Sequence, residues 1–168
     1  KGTENFLDAI QQTAGIEKVI FIASVAAYNT NFPLPPDDKA EEDSISETSE
    51  PFISEQSHPY AQAKFIANQT VNKFIADNHN LNYEIVSVSP VSVVGKSLST
   101  RQDSTSSGLQ FLFKNKIAPN PFVQMFYDKD PYFSVVDVAD IAEAIFKAVQ
   151  KKNNHGKNYL LASESYRV

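Results

Sequence analysis

The chain has 168 residues, 42% of them apolar and 21% charged, which suits one soluble globular domain able to bury a sizeable core. A formal charge of -5, with Arg101 and Arg167 the only arginines, argues against a nucleic-acid surface, which needs clustered basic residues. The absence of cysteine excludes disulfides and thiolate metal sites, and the apolar runs are too short to span a bilayer.

The chain opens on Lys1-Gly2-Thr3, with no initiating methionine and nothing that reads as a signal peptide, so a cytoplasmic location is the default expectation. Phe6, Leu7 and Ile10 recur at helical spacing and predict a helix over 3–14, with Thr3 as N-cap and Gly15 as C-cap. Residues 18–23 (KVIFIA) form a β-branched and aromatic run, the pattern of a strand buried on both faces. Residues 29–57 hold several prolines and many acidic and hydroxyl side chains, and read as a long surface loop. Pro59 suits the first turn of a helix over 60–77, whose apolar stripe includes Phe65, Ile66, Val71, Phe74 and Ile75. A second buried strand is predicted over 83–88, closed by Pro90, and Gly95 opens a polar stretch rich in serine and threonine.

Further on, the pattern predicts a short helix over 108–116, a strand over 122–127 and a brief extended piece over 133–136. Asp137 is an N-cap for a helix over 138–150, and a last strand falls at 159–162. This alternation is the rhythm of a doubly wound α/β sheet. Both ends look cut rather than finished, which suggests a fragment of a larger domain.

The pentapeptide YAQAK places Tyr60 and Lys64 one helical turn apart, on the same face. Alone, such a pair also reads as an exposed helix contact, and Ser24 alone as a capping or turn residue. Position gives them chemistry. Ser24 ends the strand at 18–23, and the carboxyl edge of an open α/β sheet is where ligands bind. A phenol ordinarily titrates near 10, and a nearby ammonium favours its phenolate, which moves it toward acid–base work at neutral pH. A serine hydroxyl can hold the substrate oxygen toward the phenol.

Among other residues, His58 lies close to Tyr60 and reads as a loop histidine or a substrate contact. His79 and His155 lack metal-ligand spacing. Glu41, Glu42 and Asp43 read as a solvated run. Phe111, Phe113, Phe122, Phe126 and Tyr127 are split between core and an apolar pocket, one or two of them at the pocket.

With these residues in order, the chain resembles the extended short-chain dehydrogenase/reductase family, in its NAD-dependent epimerase/dehydratase and dihydroflavonol-reductase-like branch. KGTENFLDAI is similar to the family's helix around a Gly-Thr pair, and KVIFIASVAAY to its strand ending in the catalytic serine. YAQAK matches its Tyr-x-x-x-Lys, SPVSVVG its segment after the next strand, and FSVVDVADIAEAI its late helix start. The departures are Ala23 and Ser134, where the family often has serine and histidine, and Val136 in place of an aspartate. The family's glycine-rich phosphate loop and its adenosine-ribose residue would lie upstream, and its organising asparagine just before Lys1.

The resemblance implies the later half of a doubly wound parallel Rossmann-type sheet, with part of a small substrate-binding region. Residues 1–94 would be the C-terminal half of the NAD(P)-binding domain, and 95–168 a substrate-region segment with a returning helix and strand, all in one truncated structural domain. It implies catalysis by Ser24, Tyr60 and Lys64, with Tyr60, Lys64, Pro90 and Val91 facing the cofactor. NAD or NADP is the implied cofactor, NADP slightly favoured, and a small molecule the substrate. The implied activity interconverts a carbonyl and a secondary alcohol. A nucleotide-sugar epimerase or dehydratase with the same triad is one alternative, and a non-catalytic dinucleotide sensor another. An epimerase needs cations for a diphosphate, and downstream the chain offers Arg101, Lys114 and Lys116. The strand at 18–23 would have an unpaired side, the piece alone would be inactive, and the helices at 3–14 and 60–77 resemble those of a homodimer interface.

Overall fold

The computed structural model describes residues 1–36, 44–96 and 105–167. Helix α1 (Gly2–Gln11) leads to strand β1 (Lys18–Ile22) and, after a single 3-10 turn at Val25–Ala27, to helix α2 (Pro59–Asp77) and strand β2 (Glu84–Pro90). Strand β3 (Ser92–Val94), helices α3 (Thr105–Asn115) and α4 (Pro121–Lys129) and strand β4 (Phe133–Asp137) follow. Helix α5 (Val138–Gln150), β5 (Asn158–Leu161) and β6 (Glu164–Tyr166) close the chain. The first sheet is parallel, in the order β1-β2-β5, with Ile22 in register with Val88 and Pro90 with Leu161. In the second, β3 pairs parallel to β4 and β4 antiparallel to β6. This is the α/β architecture, with the parallel sheet, that the alternating pattern implied.

The centre of the parallel sheet is β2, not β1. Ile85, Val86 and Val88 are all but inaccessible, so this β-branched run is buried on both faces. Burying each such side chain stabilises the fold by about 1.5–3 kcal/mol relative to leaving it exposed. The expectation that β1 is equally enclosed is corrected: Val19 is buried, but Ile22 is 42% exposed, because β1 is an edge of the sheet. Leu7 and Ile10 of α1, Val71 of α2, Val19, Tyr83 and Ile85 make one core cluster. Val25, Val91, Val136 and Ile141 of α5 make another.

Several boundaries differ from expectation for identifiable reasons. Helix α1 begins at Gly2 with Lys1 at the N-cap and no side-chain cap, so Thr3 is inside it. It ends at Gln11, and Gly15, with φ +81, serves the turn into β1 instead. The predicted strand at 122–127 is helix α4. Asn120 caps it by accepting the Val123 N–H at 3.0 Å, Pro121 takes the first turn, and Val123 and Phe126 are buried three apart. Short apolar runs do not separate strand from helix by themselves, and here the Asn-Pro start decides it. The helix at 108–116 and the Asp137 cap are as expected, with the Asp137 carboxylate accepting the Ala139 N–H at 2.7 Å. Strands β3 and β6 were not anticipated.

Candidate functional site

The site lies where β1 and β2 end. Ile22 and Val88 are in register, and the Ala23 N–H donates to the Val88 carbonyl at 2.9 Å. The next steps along each strand therefore bring Ser24 beside the Pro90 end of β2, and Val25 and Val91 meet in one buried cluster. Ser24 leaves the sheet in extended conformation (φ -168, ψ 161) and caps the 3-10 turn, its Oγ accepting the Ala26 N–H at 3.3 Å. The capping role that serine takes on its own is thus present, and it uses only an acceptor position. The hydroxyl proton can still be donated.

Helix α2 starts beside this turn and packs against it. Pro59 occupies its first turn and His58 is its N-cap, with Nδ1 accepting the Tyr60 N–H at 3.2 Å. His58 thus helps to start the helix that carries Tyr60. Tyr60 is 60% exposed, a large apolar ring left open to solvent at the helix start. One turn later the Lys64 ammonium donates to the Ile22 carbonyl at 3.3 Å, two residues before Ser24. The fold thus places Lys64 against Ser24's strand end, with Tyr60 one turn nearer the helix start. At the end of β2, Pro90 has no N–H to give, and the Val91 N–H donates to the Leu161 carbonyl at 3.0 Å.

Loop residues that the sequence did not single out hold the 3-10 turn and the start of α2 together. The Thr30 hydroxyl oxygen accepts the Ser54 N–H at 2.9 Å and the Ser57 hydroxyl at 2.8 Å. The Phe52 N–H donates to the Tyr28 carbonyl at 2.8 Å, and the Thr30 N–H to the Phe52 carbonyl at 3.1 Å. Asn29 and Thr30 are buried, and their hydrogen bonds to the loop keep them satisfied. Tyr28 is buried as well, and its hydroxyl has no hydrogen-bond partner among the described residues. Burial, then the nearby Glu47 charge, push its hydroxyl up to about 12. Glu47 also accepts the Leu160 N–H at 3.1 Å, so this loop reaches β5.

The aromatic candidates divide. Phe126 is fully buried, with Phe113 and Phe133 each 5.1 Å away in edge-on contact, and it is core. Phe111 and Phe122 are exposed. His79 and His155 border a shallow depression with Glu17 and Glu84, beside the start of β2. There the His155 Nδ1 accepts the Ile85 N–H at 3.1 Å. Among the described residues no group of three or more His, Cys, Asp or Glu is placed to hold a metal ion. Glu41, Glu42, Asp43 and Arg101 lie outside the described residues; Lys114 is in the last turn of α3 and Lys116 just after it.

The Ser24 hydroxyl and the Lys64 ammonium lie at one strand end, with Tyr60 one turn before Lys64 on α2. Such donors suit the ribose hydroxyls and carbonyl oxygen of the nicotinamide-ribose half of NAD(P). The five glycines are dispersed along the sequence and form no glycine-rich turn of the kind that binds a diphosphate.

The sequence profile of the NAD dependent epimerase/dehydratase family matches residues 1–162. The cinnamoyl-CoA reductase CAD2 of Medicago truncatula is 24% identical over 163 residues, covering 96% of this chain and 45% of its own length. Among solved structures, Gre2 of Candida albicans in complex with NADPH is 27% identical with a TM-score of 0.73, over 98% of this chain and 49% of its own. The UDP-glucose 4-epimerase of Thermus thermophilus in complex with NAD is similar in fold, with a TM-score of 0.62 at 19% identity, over 99% of this chain and 49% of its own. The chain spans about half the length of these relatives.

Proposed function

Because the chain belongs to the NAD-dependent epimerase/dehydratase family, we propose that it carries the proton-transfer site of an oxidoreductase that interconverts a carbonyl and a secondary alcohol. NAD(P) is the cofactor class of that family, and when bound it supplies or takes the hydride at the carbon. Ser24 donates its hydroxyl proton in a hydrogen bond to the substrate oxygen and orients it. Tyr60 gives that oxygen a proton as it becomes an alcohol, and takes the proton back in the reverse direction. Lys64 would hold the ribose hydroxyls of the bound cofactor. Pro90 and Val91 border the nicotinamide. The Val91 N–H is committed to the Leu161 carbonyl, so any backbone contact from Val91 to the cofactor would have to use another group.

The observation that carries this reading is the Lys64 ammonium on the Ile22 carbonyl, which brings the lysine of Tyr-x-x-x-Lys to Ser24's strand end. Replacing Tyr60 by Phe in the full-length protein tests it. Carbonyl reduction should fall by about 10²–10⁴-fold while NADPH binding persists. Unchanged turnover would remove Tyr60 from the reaction.

A second reading, a nucleotide-sugar epimerase or dehydratase, is favoured by the family description and the fold shared with UDP-glucose 4-epimerase. Net consumption of NADPH with a small carbonyl compound separates the two, since epimerisation consumes none. A dinucleotide sensor is the third reading, and it needs neither Tyr60 nor turnover. We also propose that the protein is a homodimer through α1 and α2, which pack on each other and leave Phe6 and Ile66 exposed. A monomer mass by light scattering would overturn that.

A further inference from the structure

Tyr60, Lys64 and Asn68 follow one another at four-residue steps along α2, a stripe that drifts only ~40° per step. Exposure falls steeply along it, from 60% at Tyr60 to 3% at Asn68. The stripe therefore runs from the open strand edge into the interior, and its inner end is an amide. A buried amide is costly unless it is paired. Asn68 is paired: its Oδ1 accepts from the Asn158 Nδ2 of β5 at 3.3 Å. Asn158 in turn accepts on Oδ1 from the Ser89 hydroxyl of β2 at 2.8 Å. Ser89 is itself fully buried and directly precedes Pro90.

Apart from the Lys64 ammonium on the Ile22 carbonyl, α2 meets the core through the apolar side chains Val71, Phe74 and Ile75. Apolar contact is non-directional, so it holds the helix down without fixing its rotation or its position along its own axis. Hydrogen bonds are directional and fix both. A small rotation of α2 would draw Lys64 from the Ile22 carbonyl and carry Tyr60 with it.

We propose that Ser89, Asn158 and Asn68 form a polar link that sets the rotation and position of α2 on the sheet, making them positioning residues for Tyr60 and Lys64. The catalytic meaning of the link rests on the reading of Tyr60 and Lys64 given above; the mechanical meaning does not.

The test compares full-length wild type with the triple variant Ser89→Ala/Asn158→Leu/Asn68→Leu, in which no member is left buried and unpaired. Its kcat for carbonyl reduction should fall at least about tenfold, as for a slightly misplaced catalytic group, with a smaller change in KM. Asn68→Asp keeps the acceptor oxygen and should stay within about threefold of wild type. A triple variant that folds with wild-type kcat overturns the proposal, because a link that served stability alone would leave catalysis intact. Hydrogen exchange at the 61–68 amides, measured without ligand, gives an activity-independent reading: faster exchange in the triple variant supports the link, and unchanged exchange overturns it. If wild type reduces no carbonyl while exchange still responds, the proposed function fails and the positioning role stands.

Discussion

The Lys64 ammonium donates to the carbonyl of Ile22 at 3.3 Å, joining the helix that carries Tyr60 in its first turn to the strand that leads into Ser24. One long side chain thus reports whether two elements separated by the whole loop after β1 are correctly docked. Lys64→Met keeps most of the stem and removes the charge. Carbonyl reduction by the full-length variant should fall by about 10²-fold or more, with weaker NADPH binding in a fluorescence titration. Wild-type binding and turnover would show that Lys64 serves docking only.

Lys18 and Glu84 join the starts of β1 and β2 at 2.8 Å, and Lys18 also reaches Asn154 Oδ1 at 2.9 Å and the carbonyls of Ala148 and Lys151. The Lys18 hydrogen bond holds the Glu84 carboxyl below the usual carboxylate range. Its contribution to stability is therefore present above the unfolded-state value and lost as pH falls through the folded one. Melting temperature should drop between neutral pH and about pH 4 and below, and that drop should be smaller in Glu84→Gln. Equal acid sensitivity in the two proteins would contradict the assignment.

Tyr28 has the opposite sign. With its hydroxyl pushed up to about 12, the folded chain keeps a proton that the unfolded chain releases near 10. Its contribution is complete below the unfolded value and is lost as pH rises through the folded one. Absorbance at the phenolate band should show a late-titrating component that Tyr28→Phe reduces, while Tyr83, raised by burial, and Tyr166, raised by Glu164, still contribute to it. Because the hydroxyl has no partner among the described residues, the substitution should cost little stability at neutral pH.

Gly95 has φ +118, and a Cβ there would lie 2.9 Å from Asp137 Oδ2 and 3.0 Å from Val138 Cγ1. Those atoms belong to the cap and first turn of α5. Gly95→Ala should destabilise the fold by about 1–3 kcal/mol in chemical denaturation. A change within about 0.5 kcal/mol would mean that the turn relaxes freely.

The parts of this fold that were legible in the sequence are those set by local rules. The β-branched run of β2, the Pro59 start of α2 and the Asp137 cap of α5 each announce themselves within a few residues. Helix α4 was misread because Phe122 to Tyr127 is apolar without a clear period, although Asn120 and Pro121 carried the cap signal. The unpaired side expected of β1 is there, but its burial on both faces was overstated, because a β-branched run does not say what covers each face. At the candidate site, Tyr60 and Lys64 were visible as a spaced pair. Asn68, Asn158, Ser89 and Thr30 were not, because their meaning lies in contacts between residues far apart in the chain.

The central claim is that Tyr60 protonates an oxygen whose carbon receives hydride from a nicotinamide. It is tested most directly by incubating the full-length protein with a small carbonyl substrate and NADPH deuterated at the transferring position. Deuterium should appear on the carbinol carbon of the product, at a rate cut by about 10²-fold or more in Tyr60→Phe. Product without deuterium, or labelled product formed equally fast by both proteins, would contradict the account.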